Sequence, residues 1–404
     1  MTDYLRRGSP DYRRATIGLF CAGFSSFAML YCVQPLLPLL ARAFHQSASG
    51  ASWAVSAATT GVACSLLVVG AVSDRIGRKS LMGASLFAVV IFNLLATVSP
   101  TWGLVLLCRF LSGVAMSGVP AVAMAYLAEE VAPDSLGGAM GLYVGANAIG
   151  GLAGRLLVGA LADATGSWRI AFAGMGVLGL VTAAVFLHFL PPSRRFQPAP
   201  QSRLAPYLKS VLALFADPGL PWLLAVGFIL LSVFVTLFDL MAFRLAAPPF
   251  SLSSSAMAAV FLVYLIGAPV SGWFGRMGDR YGKAVLMAVG LISTLLGLAA
   301  TLIDNLFGVV VGLCLATCGY FGAHAQASAW TTVRAPQARG QASALYLQFL
   351  YLGPMLIGTM GGEAWAHEGW TGVVLVLMAW AAAALAVVRF SPLWRMSKDI
   401  SQLR

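Results

Sequence analysis

Charged residues are scarce in this sequence. Lysine, arginine, aspartate and glutamate make up 10% of its 404 residues, whereas hydrophobic residues make up 59% and the mean hydropathy is +0.85. Soluble domains carry about 25% charged residues, because a polar shell must cover their core. A chain this poor in charge cannot cover its apolar surface, so we predict a protein whose solvent is lipid.

The groups on which catalysis and metal binding depend are equally few. Four histidines are scattered without a His-Glu-x-x-His run, and no Gly-x-x-x-x-Gly-Lys-Ser/Thr phosphate loop occurs. The six cysteines fall within apolar segments and lack the paired spacing of a metal site. These absences argue against an enzyme and against a primary pump, and they predict neither a metal nor a cofactor.

Long apolar runs fill the sequence instead. A helix that crosses a membrane needs about 20 mainly apolar residues, since each residue rises about 1.5 Å through a core about 30 Å thick. Short polar or proline-containing breaks separate runs of this length. The sequence predicts an all-α membrane protein with twelve spans, at roughly 16–41, 50–73, 79–98, 101–128, 135–162, 168–190, 219–243, 251–274, 283–303, 305–333, 339–366 and 369–390.

Lysine and arginine are unevenly distributed around these spans. With the N-terminus inside, twenty of the 25 lie on one side of the membrane and three on the other. Basic residues stay on the cytoplasmic side, so both termini are predicted to be cytoplasmic. The net charge of +11 is then a topology signal, and we expect no nucleic-acid partner. The predicted divisions are a tail (1–15), a six-helix bundle (16–190), a cytoplasmic linker (191–218), a second six-helix bundle (219–390) and a tail (391–404).

Two segments recur at an offset of about 205 residues. The first signature loop, Gly70-x-x-x-Asp74-Arg75-x-Gly77-Arg78-Lys79, has a counterpart in the second, Gly275-x-x-x-Asp279-Arg280-x-Gly282-Lys283. Residues 132–143 also match residues 335–346 at six of twelve positions. Two recurrences in one order indicate an internal duplication. Two parallel six-helix repeats are a known transporter plan, with the solute site near the midplane between them.

The same residues resemble a known family. The first signature loop is similar to that of the major facilitator superfamily, and Arg109-x-x-x-Gly113 is similar to the family's second motif. Segments 30–38, 150–155 and 243–249 resemble the YNFM-type branch of bacterial drug- and sugar-efflux proteins. The resemblance implies the major facilitator fold, with two pseudo-symmetric six-helix bundles that give alternating access to a solute.

We interpret the signature loops as a gating latch. A carboxylate at the end of span 2 can accept charge-assisted hydrogen bonds from Arg78 and from the amino end of a neighbouring helix. The alternative is a plain basic turn, but such a turn needs neither this aspartate nor a second copy. The candidate latch residues are Gly70, Asp74, Arg75, Gly77, Arg78, Gly275, Asp279, Arg280 and Gly282.

Charged residues inside spans are functional candidates by default. Arg109 and Arg155 could contact an anionic group or tune a proton site, or they could pair with backbone carbonyls or reach outward to the interface. Asp239 in span 7 is the candidate proton carrier, and its counterpart in span 1 is Gln34. Arg244, five residues further on, could instead neutralise Asp239 as a static pair.

Polar and small residues complete the candidate set. His324 in span 10 could titrate, donate to a solute, or be a satisfied structural histidine. Glycines at helical spacing predict close helix packing, but Gly145-Ala146 replaces the Gly-Pro that exporters of the family carry, which weakens the inference of efflux. The other solute-site candidates are Asn147, Tyr31, Tyr143 and Gln348, and the packing candidates are Gly113, Gly141, Gly145, Gly150 and Gly151.

These observations favour a secondary active transporter. Proton-coupled efflux of a drug- or sugar-like solute is the first expectation, and proton-coupled uptake of a sugar or organic acid is the second. A membrane receptor or channel is the alternative from a different class, but it leaves the duplicated loop unexplained. The expected location is a bacterial-type inner membrane, and the expected partners are a small-molecule substrate and the lipid bilayer. We expect no obligatory protein partner, and no cofactor other than a proton gradient as energy source.

Overall fold

The chain is helical throughout the part that the structure describes. This computed structural model covers residues 4–196 and 204–396, with the backbone alone at residues 70, 71, 74, 121 and 204–208. The described helices are α1 (Pro10–Tyr31), α2 (Leu37–Ala43), α3 (Ala48–Ile76), α4 (Arg78–Val98), α5 (Trp102–Met116), α6 (Pro120–Glu130), α7 (Pro133–Thr165), α8 (Trp168–Phe189), α9 (Leu204–Ala213), α10 (Leu220–Ala246), α11 (Ser254–Val260), α12 (Gly267–Tyr281), α13 (Lys283–Ala300), α14 (Leu306–Arg334) and α15 (Arg339–Phe390).

Ten segments of the described chain are long and apolar enough to cross a membrane. Two features account for the difference from twelve predicted spans. The fourth predicted span is divided into α5 and α6, where Pro120 begins a new helix because it has no N–H to continue the old one. Predicted spans 11 and 12 are joined as α15, with a non-helical residue, Gly369 (φ 59°, ψ −145°), between them. The all-α membrane fold is confirmed.

Two further spans are interrupted. The first breaks after α1, where a 3-10 turn at Gln34–Leu36 precedes α2, and Pro35 in that turn cannot donate a helical hydrogen bond. The eighth consists of α11, a 3-10 segment at Phe261–Ile266, and α12. Such breaks leave backbone carbonyls without helical partners, and in an apolar environment another group has to satisfy them.

The chain forms two compact units. The first unit comprises Met1–Leu36 and Ala57–Arg203, and in it α1 packs along α7 and α8 while α4 packs along α5 and α8. The second comprises Leu37–Ser56 and Leu204–Arg404, and in it α10 packs along α15 and α13 along α14. The segment Leu37–Ser56 is part of the second unit because it contacts α10 and α15. For example, Trp53 Nε1 donates to Thr359 Oγ1 at 3.2 Å.

The predicted linker is partly helical. Residues 197–203 lie outside the described residues, and α9 with the 3-10 turn Leu214–Ala216 follows them. Ser210 is hydrogen-bonded to Gln341 at the start of α15, and the rings of Phe215 and Phe349 are 6.2 Å apart. The second half of the linker is thereby attached to the second unit.

Candidate functional site

Both signature loops turn through a glycine with the same backbone conformation. Gly77 lies between α3 and α4 with φ 97° and ψ 149°, and Gly282 lies between α12 and α13 with φ 94° and ψ 139°. These dihedrals are open to glycine and strained for residues that carry a Cβ. The duplication seen in the sequence is therefore also a duplication of backbone shape.

Arg78 in the first signature loop is held by a carboxylate on α6. Its Nε and Nη2 donate to the two carboxylate oxygens of Glu129 at 3.2 and 2.6 Å, and its Nη1 donates to Ser73 Oγ at 2.5 Å. Sequence reasoning missed Glu129, because no pattern specified that the ends of spans 2 and 4 meet. The side chain of the expected acceptor, Asp74, and the surroundings of Gly70 lie outside the described part of the chain, and Arg75 is exposed.

The second signature loop has a different ion pair, in an exposed setting. Asp279 and Lys283, the counterparts of Asp74 and Arg78, form an ion pair of 3.2 Å, and the Asp279 side chain is 62% exposed. Arg280 lies over the ring of Tyr281 at 5.2 Å, and no described atom is within 4 Å of a Cβ placed on Gly275. Exposed pairs contribute about 0–1 kcal/mol, so this copy adds little stability.

The start of each repeat is tied to the end of its fourth span. In the first unit the Leu5 amide donates to the Glu130 carbonyl at 2.8 Å, beside a parallel bridge between Leu5 and Val131. In the second unit Arg334, the counterpart of Val131 at the offset of 203, donates to both carboxylate oxygens of Asp217 at 2.6 and 2.8 Å. A backbone contact in one repeat is replaced by an ion pair in the other.

Asp217 also caps the amino end of α10. Its Oδ1 accepts from the amides of Gly219 and Leu220 at 2.9 and 2.8 Å. Burial acts to raise the pKa of Asp217, but the hydrogen bonds from Arg334 and from the two amides outweigh it, and the pKa lies below its ordinary value of 3.8. The folded protein therefore favours the charged form of this carboxylate.

Arg109 caps the broken first span. The residue is 1% exposed, and its Nη1 and Nη2 donate to the carbonyls of Met29 and Leu30 at 2.9 and 2.5 Å. These carbonyls belong to the last turn of α1, which lacks helical donors and carries the negative end of the helix dipole. A guanidinium at this position satisfies both needs. Of the sequence-based alternatives, the structure places Arg109 against backbone carbonyls.

Arg155 on α7 also contacts residues at the break in the first span. Its Nε donates to Gln34 Oε1 at 2.7 Å, and its Nη1 donates to the Gly151 carbonyl at 2.5 Å. The guanidinium lies 4.8 Å from the ring of Tyr31. The two buried arginines therefore converge on residues 29–34, where α1 gives way to the 3-10 turn. Gln34 is fully buried there.

Asp239 lies on α10 and is 2% exposed. Of the described spanning helices, α10 has the largest buried share of its apolar stretch, 89%.

Arg244 on the same helix contacts the loop after α13. Its Nη2 donates to Asp304 Oδ1 at 2.9 Å, and its Nη1 donates to the Thr301 carbonyl. Trp370 lies 5.1 Å from this guanidinium and donates to the same carbonyl at 3.2 Å. Arg244 thus fastens the loop that follows α13.

His324 belongs to an aromatic cluster in the second unit. Its Nδ1 and the Tyr346 hydroxyl are 2.9 Å apart, and its ring stacks on Tyr320 with centroids 5.6 Å apart. Tyr320 in turn stacks on Phe234 of α10 at 4.1 Å. Ring stacking joins α10 to α14 in this cluster, and the polar contact between His324 and Tyr346 joins α14 to α15. Gln348, on the same helix as Tyr346, is half-buried.

The candidate packing glycines differ in what surrounds them. A Cβ on Gly113 would meet the backbone of Ala58, and one on Gly150 would meet the backbone of Phe24. These two allow close contact of α5 with α3 and of α7 with α1. A Cβ on Gly151 would lie 3.4 Å from the Arg155 guanidinium. No described atom lies within 4 Å of a Cβ on Gly141 or Gly145.

Asn147 and Tyr143 on α7 both approach α1. A Cβ on Gly23 would meet Asn147 Oδ1 and would lie 3.0 Å from Tyr143 Cε2, so the glycine makes room for both side chains. Asn147 Oδ1 is buried and makes no hydrogen bond with the described residues. These two candidates therefore lie together, one turn from each other on the same face of α7.

Two cavities inside the units are small. One lies beside Arg109 and Ser112, and the other lies between α10, α13 and α14 near Phe234 and Tyr320. Each has a volume of ≈ 10 Å³, which is about the space of one water molecule. Pockets for organic ligands measure about 300–1,000 Å³, so neither cavity holds an organic solute.

Comparison with known proteins identifies the chain. The family model of the Major Facilitator Superfamily matches residues 19–356. The chain belongs to the major facilitator superfamily. It is therefore a multi-pass membrane protein and a secondary transporter of small molecules, and its family is not one of enzymes.

Relatives of this superfamily member cover nearly its whole length. It is 40% identical over 384 residues to the inner membrane transport protein YnfM of Escherichia coli (strain K12), covering 95% of this chain and 92% of that protein. It is 39% identical over 389 residues to the MFS-type transporter YybF of Bacillus subtilis (strain 168), with coverage of 95% and 96%. The resemblance inferred from the signature loops is confirmed.

Solved structures share the major facilitator fold at low identity. A bacterial homologue of the lysosomal transporter Spinster, inward-facing and unoccupied, matches with a TM-score of 0.73, 19% identity, and coverage of 98% of this chain and 97% of that one. The nucleoside transporter NupG matches with a TM-score of 0.78, 14% identity, and coverage of 93% and 99%. At such identity the likeness establishes the fold alone.

Proposed function

We propose that this transporter exports a small organic solute, drug- or sugar-like, in exchange for protons, and that Asp239 carries the proton. The observation that supports the proposal is a carboxyl group only 2% exposed on α10. Removing a carboxylate from water favours its neutral, protonated form. A carboxyl group that faces each side of the membrane in turn can therefore take up a proton on one side and release it on the other.

The arginines singled out in the sequence have partners within their own surroundings. The sequence left open a static ion pair between Arg244 and Asp239. In the structure the Arg244 guanidinium donates to Asp304 and to the Thr301 carbonyl. Arg109 and Arg155 belong to the first unit and are bonded to the break in span 1. These arginines therefore have structural tasks of their own.

Thermal stabilisation of the purified protein by a panel of lipophilic drugs, sugars and organic acids tests the proposal. A solute that binds only the folded state raises its stability, by about 2.7 kcal/mol at one hundred times its Kd. We expect one drug or sugar class to raise the melting temperature, with an increase that differs between two pH values. The pH difference should vanish in Asp239→Asn and persist in Asp134→Asn, the matched control, because Asp134 is exposed.

Two results would count against the proposal. A pH difference that persists in Asp239→Asn would assign the proton to another group. Stabilisation by organic acids alone would favour the uptake alternative. The direction of transport is then read in proteoliposomes that contain a pH-sensitive dye: export in exchange moves solute and protons in opposite directions, whereas uptake moves them together.

A further inference from the structure

The hydroxyl of Thr236 on α10 belongs to a small group in the described spanning helices that make no hydrogen bond with the described residues; Ser112 and Thr317 are others. Neighbouring hydroxyls donate to a carbonyl four residues earlier, as Ser232 does to Phe228 at 2.5 Å and Thr359 does to Met355 at 2.8 Å. Thr236 is 1% exposed, and its Oγ1 makes no hydrogen bond with the described residues. A buried hydroxyl without a partner lowers the stability of a folded protein, so the orientation of Thr236 calls for an explanation.

Two glycines of α15 set this orientation. The Thr236 methyl carbon lies 2.7 Å from the position of a Cβ on Gly361, so the methyl fills the space that this glycine leaves. Thr236 Oγ1 and Ser56 Oγ each lie 3.6 Å from the position of a Cβ on Gly358, and no other described atom is within 4 Å of it. The two hydroxyl oxygens are thus at most 7.2 Å apart, and they border an open space beside Gly358.

The helix that supplies these glycines is itself interrupted. Pro354 has no N–H, so the carbonyl of Leu350 loses its helical donor, and Ser56 Oγ donates to the Pro354 carbonyl at 3.3 Å. Transporters form binding sites at helices broken by glycine or proline. Asp239 follows Thr236 by three residues, a spacing at which side chains on a helix are neighbours.

We infer that Ser56, Thr236 and Gly358 form a binding site for one hydroxyl oxygen. In the solute-free protein that oxygen belongs to a water molecule, and in the solute-bound protein it belongs to a hydroxyl group of the solute. A neutral hydroxyl oxygen fits because Ser56 Oγ, whose proton goes to the Pro354 carbonyl, can accept from it, and the Thr236 hydroxyl can donate to it or accept from it. The assignment to a solute rests on the proposed function and narrows it to hydroxyl-bearing compounds such as sugars. The water site does not depend on it.

Replacement of Gly358 by alanine blocks this site without a steric clash. The added methyl would sit 3.6 Å from both hydroxyl oxygens, which is ordinary van der Waals contact, and alanine is a better helix former than glycine. The substitution itself should therefore not prevent folding. Gly145→Ala is the matched control, because it is also a helical glycine with open space around its Cβ position.

An experimental structure of the solute-free protein tests the water. We expect ordered density within hydrogen-bond distance of Thr236 Oγ1 in the wild type and in Gly145→Ala, and no such density in Gly358→Ala. A wild-type structure in which the Thr236 hydroxyl instead bonds the Ser232 carbonyl, or in which the density is absent, would overturn the site.

Pairs of sugars that differ by one hydroxyl test the solute. D-ribose with 2-deoxy-D-ribose, and D-glucose with 2-deoxy-D-glucose, are titrated in a thermal-shift assay. We expect the parent sugar of one pair to bind about tenfold more tightly than its deoxy form, the effect of one hydrogen bond, and this preference to disappear in Gly358→Ala and Thr236→Val but not in Gly145→Ala.

Each of the other outcomes would overturn one part of this proposal. A preference that survives in Gly358→Ala, equal binding of both sugars of each pair, or no binding of any of them would overturn the solute hydroxyl and leave water as the occupant. The proton role of Asp239 is read from the pH dependence of a different variant, so either proposal can fail without the other.

Discussion

Replacement of Gly77 by alanine measures the strain that the first signature loop imposes. Its φ of 97° and ψ of 149° lie in a region reserved for glycine, where another residue costs about 1–3 kcal/mol. Space does not limit the substitution, since the nearest described atom to a Cβ on Gly77 is Phe196 Cε1 at 3.9 Å. The whole loss of stability in Gly77→Ala should therefore come from backbone strain.

Gly275 supplies the matched control in the second signature loop. It lies within α12, has no described atom within 4 Å of its Cβ position, and does not have a positive φ. Alanine there should stabilise the helix by about 0.5–1 kcal/mol. The unfolding free energies of Gly77→Ala and Gly275→Ala should thus differ by about 1.5–4 kcal/mol. Gly282→Ala should resemble Gly77→Ala, because its backbone conformation is the same.

The assay is equilibrium unfolding of the purified protein in mixed micelles with increasing SDS, followed by the fluorescence of its ten tryptophans. Gly77→Ala and Gly282→Ala should unfold at lower SDS than the wild type, and Gly275→Ala should not. Equal midpoints for Gly77→Ala and Gly275→Ala would refute the reasoning, because they would show that the loop relaxes to a conformation open to any residue.

Two further variants test contacts described above. Arg109→Met removes the two guanidinium donors to the carbonyls at the end of α1 and should lower the unfolding free energy by about 2–6 kcal/mol at about 1–3 kcal/mol per unpaired group. Arg109→Lys should lose less, and a methionine variant as stable as the wild type would contradict the capping role. For Asp217, the lowered pKa means that its stabilising contribution is complete above the unfolded value and is lost as the pH falls through the folded value, below its ordinary 3.8. The melting temperature of the wild type should therefore fall more between about pH 6 and about pH 3 than that of Asp217→Asn, and parallel curves would contradict the ion pair with Arg334.

The fold was predictable because its signals are local and repeated. Membrane spans are read from apolar length, and the turn at Gly77 could be anticipated because a second copy at Gly282 marked it as required. The break in the fourth span also carried a local signal, Pro120, but the apolar run around it is long enough to cross a membrane without one. Length therefore outweighed the proline in the prediction.

The partners of individual side chains were less predictable. The sequence marked Arg109 and Arg155 as exceptional, because a charge inside a span is rare. It left open whether these arginines bind a ligand or backbone carbonyls, because the sequence does not show which carbonyls lack a helical donor. The contacts with backbone carbonyls and with the Gln34 amide are seen only in the structure. Glu129 was missed for a related reason. It binds Arg78 because the end of α6 lies close to the start of α4, and the spacing of residues in the sequence does not show which helix ends are close in space.

Thr236 shows a third kind of limit. Threonine within a spanning helix is common and normally bonds to its own backbone, so nothing in the sequence distinguishes this residue from its neighbours. Its importance emerges only from the absence of that bond and from the glycines opposite it on α15. Sites formed by small residues are defined by the space they leave, and that space becomes visible only after the helices are packed.

The capping of α1 by Arg109 also sets an order in biosynthesis. Arg109 follows the two carbonyls that it caps by 79 and 80 residues. At about 5–20 residues per second, a ribosome needs roughly 4–16 s to reach it. Throughout that interval the nascent first span has no guanidinium at its break. Water or the insertion machinery has to donate the hydrogen bonds to those two carbonyls. The first span can therefore reach its final shape only after the fourth has been synthesised.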